Sequence, residues 1–139
     1  MSSQNRRFPA EWENQQGILL CFPHSGKDWP GKYEAIKWDF IEFIKKISCF
    51  EQVFLIIANK KQQDVVSGML LTAHVNLKKV AFITHKTNRS WMRDSGPIII
   101  KNGAKLEALN SILMAGLSIP ILSSTEMFRL EFQSFLACL

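Results

Sequence analysis

The sequence predicts a mixed α/β fold in which short buried strands alternate with amphipathic helices and lead into a β-hairpin. Three observations carry this. Short apolar runs recur at Gly17–Phe22, Val53–Ile57 and Val80–Ile83. Each of the first two is followed by a stretch whose apolar residues reappear at helical intervals. Asn102-Gly103 then separates Pro97–Ile100 from Lys105–Leu109, and this dipeptide is a strong hairpin signal.

Taken in order, Gly17–Phe22 (GILLCF) is bounded by a glycine and by Pro23, as a buried strand would be. Asp28-Trp29-Pro30-Gly31 is turn chemistry. From Lys32 to about Ile47, apolar residues at Ile36, Phe40, Phe43, Ile44 and Ile47 fall on one face of a helix. Val53–Ile57 reads as the second buried strand, Lys61–Leu71 as a second helix, and Val80–Ile83 as the third strand. Pro97–Ile100 is the fourth strand, with Lys105–Leu109 returning as its partner. Strands alternating with helices and closing on a hairpin describe an α/β unit rather than a complete closed architecture. Beyond Leu109 the regular pattern stops.

Composition bounds the function. The chain has 139 residues, 47% apolar and 21% charged, which suits a globular domain with a real core. No apolar run is long enough for a spanning helix. MSSQNRRFPAEWE places no apolar stretch behind its arginines, so it does not read as a secretory signal. Cys21, Cys49 and Cys138 are few and unpatterned, which fits a reducing, cytoplasmic setting. The net charge of +5 comes from scattered doublets: Arg6-Arg7, Lys45-Lys46, Lys60-Lys61 and Lys78-Lys79. These look like solvated ends of strands and helices, and no nucleic-acid partner is expected. Neither is a membrane.

The densest chemistry lies in Trp91-Met92-Arg93-Asp94, between the polar Thr87–Ser90 loop and Ser95-Gly96-Pro97. Loops held by a rigid sheet are where binding groups usually sit. Asp94 could grip a planar cation through two parallel hydrogen bonds, with Trp91 offering a π-face. The competing reading is local: Asp94 pairs with Arg93 or caps backbone, and Trp91 is core.

Pro9-Ala10-Glu11-Trp12-Glu13, Phe22-Pro23-His24, Asp28-Trp29 and Trp91-Met92-Arg93-Asp94-Ser95-Gly96-Pro97 occur in the order and spacing of a known family. Over residues 8–110 the chain resembles the agmatine deiminases, a family that includes the porphyromonas-type peptidyl-arginine deiminases. The resemblance implies a pentein-type β/α propeller with five-fold pseudosymmetry, of which this chain would supply only the first blades. It also implies that Asp94 binds a substrate guanidinium and that Trp91 lines the pocket. The implied reaction hydrolyses agmatine to N-carbamoylputrescine and ammonia, in putrescine biosynthesis, with no metal or organic cofactor.

The family's nucleophilic cysteine, general-acid histidine and second guanidinium-binding aspartate lie further along the chain, so no catalytic residue is expected among these residues. Cys21 and Cys49 are expected to be small core hydrophobes. Cys138 has no scaffold around it, and His24, His74 and His85 match none of the family's catalytic histidines. Arg89 departs from the acidic residue common in the family two positions before the tryptophan, a reversed charge beside a cation site.

The tail also departs. Family members continue past the hairpin with a phrase resembling Phe-Asn-Gly-Trp and then Lys-Tyr-Pro. Here the chain reads NSILMAGLSIPI. One base restored after the codon of Asn110 allows Asn-Phe-His-Phe-Asn-Gly-Trp-Ala-Lys-Tyr-Pro-Asn. Residues 1–110 are therefore expected to be the N-terminal part of a deiminase domain, and 111–139 an out-of-frame, apolar, aggregation-prone tail. Three readings stand: a truncated, inactive agmatine deiminase; a peptidyl-arginine deiminase relative; and a non-enzymatic cation-binding fragment.

Overall fold

The computed structural model describes residues 6–87, 90–92, 96–103 and the backbone of 105–109. Asp94, Arg89 and the tail from Asn110 onward, including Cys138, lie outside the described residues. The chain divides into two contact units, Gln15–Met92 and a second one made of Met1–Asn14 with Arg93–Leu139.

In the first unit, strands β2 (Gly17–Cys21), β3 (Gln52–Ile57) and β4 (Val80–Thr84) form a parallel sheet in the order β2-β3-β4. The register pairs Ile18 with Val53 and Cys21 with Ile56, then Val53 with Val80 and Ile56 with Ile83. Helix α1 (Tyr33–Ser48) connects β2 to β3, and α2 (Lys60–Thr72) connects β3 to β4. All three strands and both helices fall where the apolar periodicity puts them.

Strand β3 is buried on both faces, which is why Val53–Ile57 shows no polar alternation. Its odd residues, Val53, Leu55 and Ile57, pack with Ile41 and Ile44 of α1 and with Val66 and Leu70 of α2. Both helices therefore cover one face. Phe54 and Ile56 point the other way and are buried as well.

The inward face of α1 differs from the expected stripe. Ile41 and Ile44 are fully buried, whereas Phe43 is about half exposed. Ile36, Phe40 and Ile47 are only partly buried. The helix is too apolar around its circumference for spacing alone to choose the face. Lys45 and Lys46 occupy its last turn, where cations oppose the helix dipole. The Asn59 side chain caps α2 by accepting from the Gln62 backbone N–H at 2.9 Å. That helix ends at His74, whose φ of 60° is a position glycine normally takes.

In the second unit, β1 (Arg6–Arg7), β5 (Ile98–Asn102) and β6 (Lys105–Leu109) form an antiparallel sheet in the order β1-β5-β6. Arg6-Arg7 is thus a short edge strand paired with Lys101 and Asn102, not merely a solvated flank. The hairpin forms as expected, with one shift: Asn102 still pairs with Lys105, so the turn begins at Gly103, whose φ is 62°. Glu13 ties this unit together. Its carboxylate accepts from Arg7, from Lys101 of β5 and from the backbone N–H of Ala10 at 2.7 Å. The Arg7 and Lys101 hydrogen bonds, with the Ala10 amide, hold the Glu13 carboxyl well below the usual carboxylate range.

Gly17 has a packing reason. A Cβ there would lie 2.3 Å from the Gln52 carbonyl oxygen. Gly17→Ala is expected to cost about 1–3 kcal/mol in urea unfolding, through forced displacement at the β2–β3 pairing. Gly68→Ala, in α2 with open space around it, is expected to gain up to about 1 kcal/mol.

Because the folded Glu13 carboxyl is depressed, its stabilisation is present above the ordinary carboxylate pKa of about 4.3 and fades as pH falls below it. Melting temperatures recorded from neutral to acid pH should therefore drop less steeply for Glu13→Gln than for the parent chain.

Candidate functional site

Ligands of open parallel sheets bind outside the carboxyl ends of the strands. In the first unit these ends are occupied by the loops after β2 and β4, on either side of β3. Phe22 continues the ladder by donating to the Ile56 carbonyl at 2.9 Å, and His85 by donating to the Ile57 carbonyl at 2.8 Å. The chain leaves the sheet just beyond these bonds. The loop after β2 is pinned at Pro23, whose carbonyl accepts from Tyr33 Oη and from Gln62 Nε2, both at 3.3 Å. Gln62 Oε1 also accepts from the Ala58 backbone at 2.7 Å. The start of α2 thus fixes the departing strand β2.

This loop carries Trp29 and the loop after β4 carries Trp91. Their rings stack at 5.3 Å between centroids and 27° between planes. Trp91 is 49% exposed, so it is not a core residue. The turn that presents Trp29 is the expected one: the Lys32 N–H donates to the Trp29 carbonyl at 3.1 Å, and Gly31 takes a φ of 69°. A cavity of about 220 Å³ opens beside the stacked pair, lined also by Pro23, Ser90 and four residues of α1: Ile36, Asp39, Phe40 and Phe43. Phe40 meets Phe22 edge-on at 5.8 Å and Phe43 at 6.2 Å, so an aromatic chain runs from the core to this cavity.

Two polar atoms in the cavity wall, Trp29 Nε1 and Ser90 Oγ, are buried with no hydrogen-bond partner among the described residues. Each such atom costs about 1–3 kcal/mol when left unmatched. Sequence reasoning did not single out Trp29, Ser90 or Asp39 as site residues. The Asp28-Trp29 motif was legible, but its stacking on a residue over sixty positions away was not.

Neither cysteine among the described residues lines the cavity. Cys21 is buried at the end of β2, as expected, with Sγ 3.3 Å from Thr87 Oγ1. Burial pushes its thiol up, against the lowering effect of Thr87. Cys49 departs from expectation: it is exposed at the end of α1, its thiol donating to the Lys45 carbonyl at 3.3 Å. Among the described residues no three of His, Cys, Asp and Glu converge as metal ligands. Nor is any described helix long and apolar enough to cross a membrane.

The sequence model of the Porphyromonas-type peptidyl-arginine deiminases matches residues 7–119. The chain belongs to this family. Relatives include a Yersinia pestis protein named "Putative agmatine deiminase", 29% identical over 97 residues, which are 70% of this chain and 25% of that protein. Among solved structures, the C. jejuni agmatine deiminase superposes with a TM-score of 0.68 at 27% identity, covering 92% of this chain and 37% of its own. A crystal structure described as a putative peptidyl-arginine deiminase gives a TM-score of 0.71 at 31% identity, covering 94% and 38%. The chain therefore spans about a quarter of the length of the curated relatives it matches. The fold is α/β, and it corresponds to part of the pentein-type β/α propeller of these deiminases.

The stacked pair predicts an optical signature. Two indoles at 5.3 Å couple their transitions, so far-ultraviolet circular dichroism should show an exciton couplet. Trp29→Leu should abolish it and leave the helical signal intact, whereas Trp38→Leu should leave the couplet in place.

Proposed function

We propose that this chain is the guanidinium-binding N-terminal portion of an agmatine deiminase-type hydrolase, inactive as the 139-residue polypeptide. The observation that carries this is the setting of Trp91. It stands half exposed at the carboxyl edge of the parallel sheet, stacked on Trp29, three residues before Asp94. One of the similar solved structures, a cysteine-to-serine variant of the C. jejuni agmatine deiminase, has substrate bound, which supports agmatine as the ligand class.

The chemistry explains the need for these groups. A guanidinium carbon is a poor electrophile because its charge is spread over three nitrogens. A carboxylate at position 94 would fix two of those nitrogens and orient the carbon for a thiolate. A histidine would then protonate the departing ammonia and activate water. Neither described cysteine suits the thiolate role: Cys21 is buried and its thiol is pushed up, and Cys49 is engaged with backbone. The proposal places both groups in sequence beyond Leu109, where a one-base shift near Asn110 would have replaced them. It also places the chain in the cytoplasm.

A second reading takes the guanidinium on a peptide. It is favoured by the family's own description and by the 31% identity to the structure described as a peptidyl-arginine deiminase. Agmatine and an arginyl peptide, each titrated against thermal unfolding, separate the two readings. Agmatine is expected to raise the melting temperature, and Asp94→Asn to remove the shift. No ammonia or ureido product is expected from either compound. Release of either product by the purified chain would contradict the inactive assignment, and a shift that survives Asp94→Asn would remove the guanidinium role.

A further inference from the structure

The cavity beside Trp29 and Trp91 has a chemistry of its own, contained within residues 23–91. Its walls combine the indoles of Trp29 and Trp91 with the rings of Phe40 and Phe43. Aromatic faces carry negative electrostatic potential and attract cations that are weakly hydrated. Asp39 is the lining residue with a carboxylate, and it makes no ion pair with any described residue. Ser90 Oγ and Trp29 Nε1, both buried and without partners among the described residues, add a hydroxyl and an N–H donor.

Each feature narrows the ligand. A primary ammonium needs several acceptors to replace its water, and this lining offers few. A methylated ammonium has little hydration to lose and presents methyl groups to aromatic rings. An oxygen on the same molecule could accept from the Trp29 N–H and bond the Ser90 hydroxyl. At about 220 Å³ the space lies below the roughly 300–1,000 Å³ of sites for drug-sized ligands, so the compound must be small.

We propose that this cavity binds a small methylated ammonium compound bearing a hydroxyl or other acceptor oxygen, with its cation held by the aromatic walls and Asp39. The cavity shares Trp91 with the guanidinium reading, and its cation is assigned to Asp39 rather than to Asp94.

Choline chloride is the probe, and 3,3-dimethylbutan-1-ol, in which carbon replaces the charged nitrogen, is its neutral control. Both are titrated into the 139-residue chain by calorimetry, with sodium chloride holding ionic strength constant. Choline is expected to bind saturably and quench tryptophan emission, and the neutral alcohol to bind about tenfold more weakly or not at all. Asp39→Asn should weaken choline by about tenfold, and Asp39→Glu should retain it. Since Asp39 is exposed on α1, neither change should alter the melt. Asp94→Asn should leave choline binding unchanged, which separates the carboxylate of Asp39 from the one invoked for guanidinium. Equal binding of the neutral alcohol, no effect of Asp39→Asn, or no saturable choline binding would each overturn the proposal.

Discussion

The parallel pairing of β3 with both β2 and β4 is the constraint on which the first unit depends. Because β3 sits between its neighbours, every inward residue from Val53 to Ile57 must be apolar on both faces. The shared register brings the carboxyl ends of β2 and β4 level, so the chain departs from the sheet at Phe22 and His85 on either side of one central strand. The meeting of Trp29 and Trp91 follows from that alignment. A slip of one residue in either pairing would exchange the helix-covered face for the opposite one and carry the two indoles apart.

Most of the fold was legible in the sequence, because strands buried on both faces and helices with strong periodicity announce themselves locally. Val53–Ile57 and the Asn102-Gly103 turn are examples. What was not legible depends on distant partners. Arg6-Arg7 reads as a pair of solvated charges, since a two-residue edge strand has no periodicity and exists only because Lys101 and Asn102 are there to pair with it. Helix α1 carries apolar residues on more than one face, so its inward side is decided by β3 rather than by spacing. For the same reason Ile41 was overlooked and Phe43 overrated.

The candidate site was legible in part. The segment around Trp91 stood out as chemistry before a strand, and the structure places its indole at the sheet's carboxyl edge. Trp29 was visible as turn chemistry and as part of a family motif but not as a site residue, and Asp39 was not singled out. Their common role depends on a cavity formed by three separate stretches of chain. Cys49 illustrates the opposite error: thiols are so often buried that a cysteine near a helix end was read as core, yet it lies past the last packed turn.

The two sheets differ in how far apart along the chain their partners lie, and this has a consequence for synthesis. Everything the parallel sheet needs is contained in one continuous stretch, Gln15–Met92. The antiparallel sheet instead joins Arg6-Arg7 to a strand more than ninety positions later. On a ribosome the first can consolidate while the polypeptide is still emerging, whereas the arm bearing Glu13 must wait for Lys101. During that interval a carboxylate and two arginines travel uncommitted ahead of a finished layer.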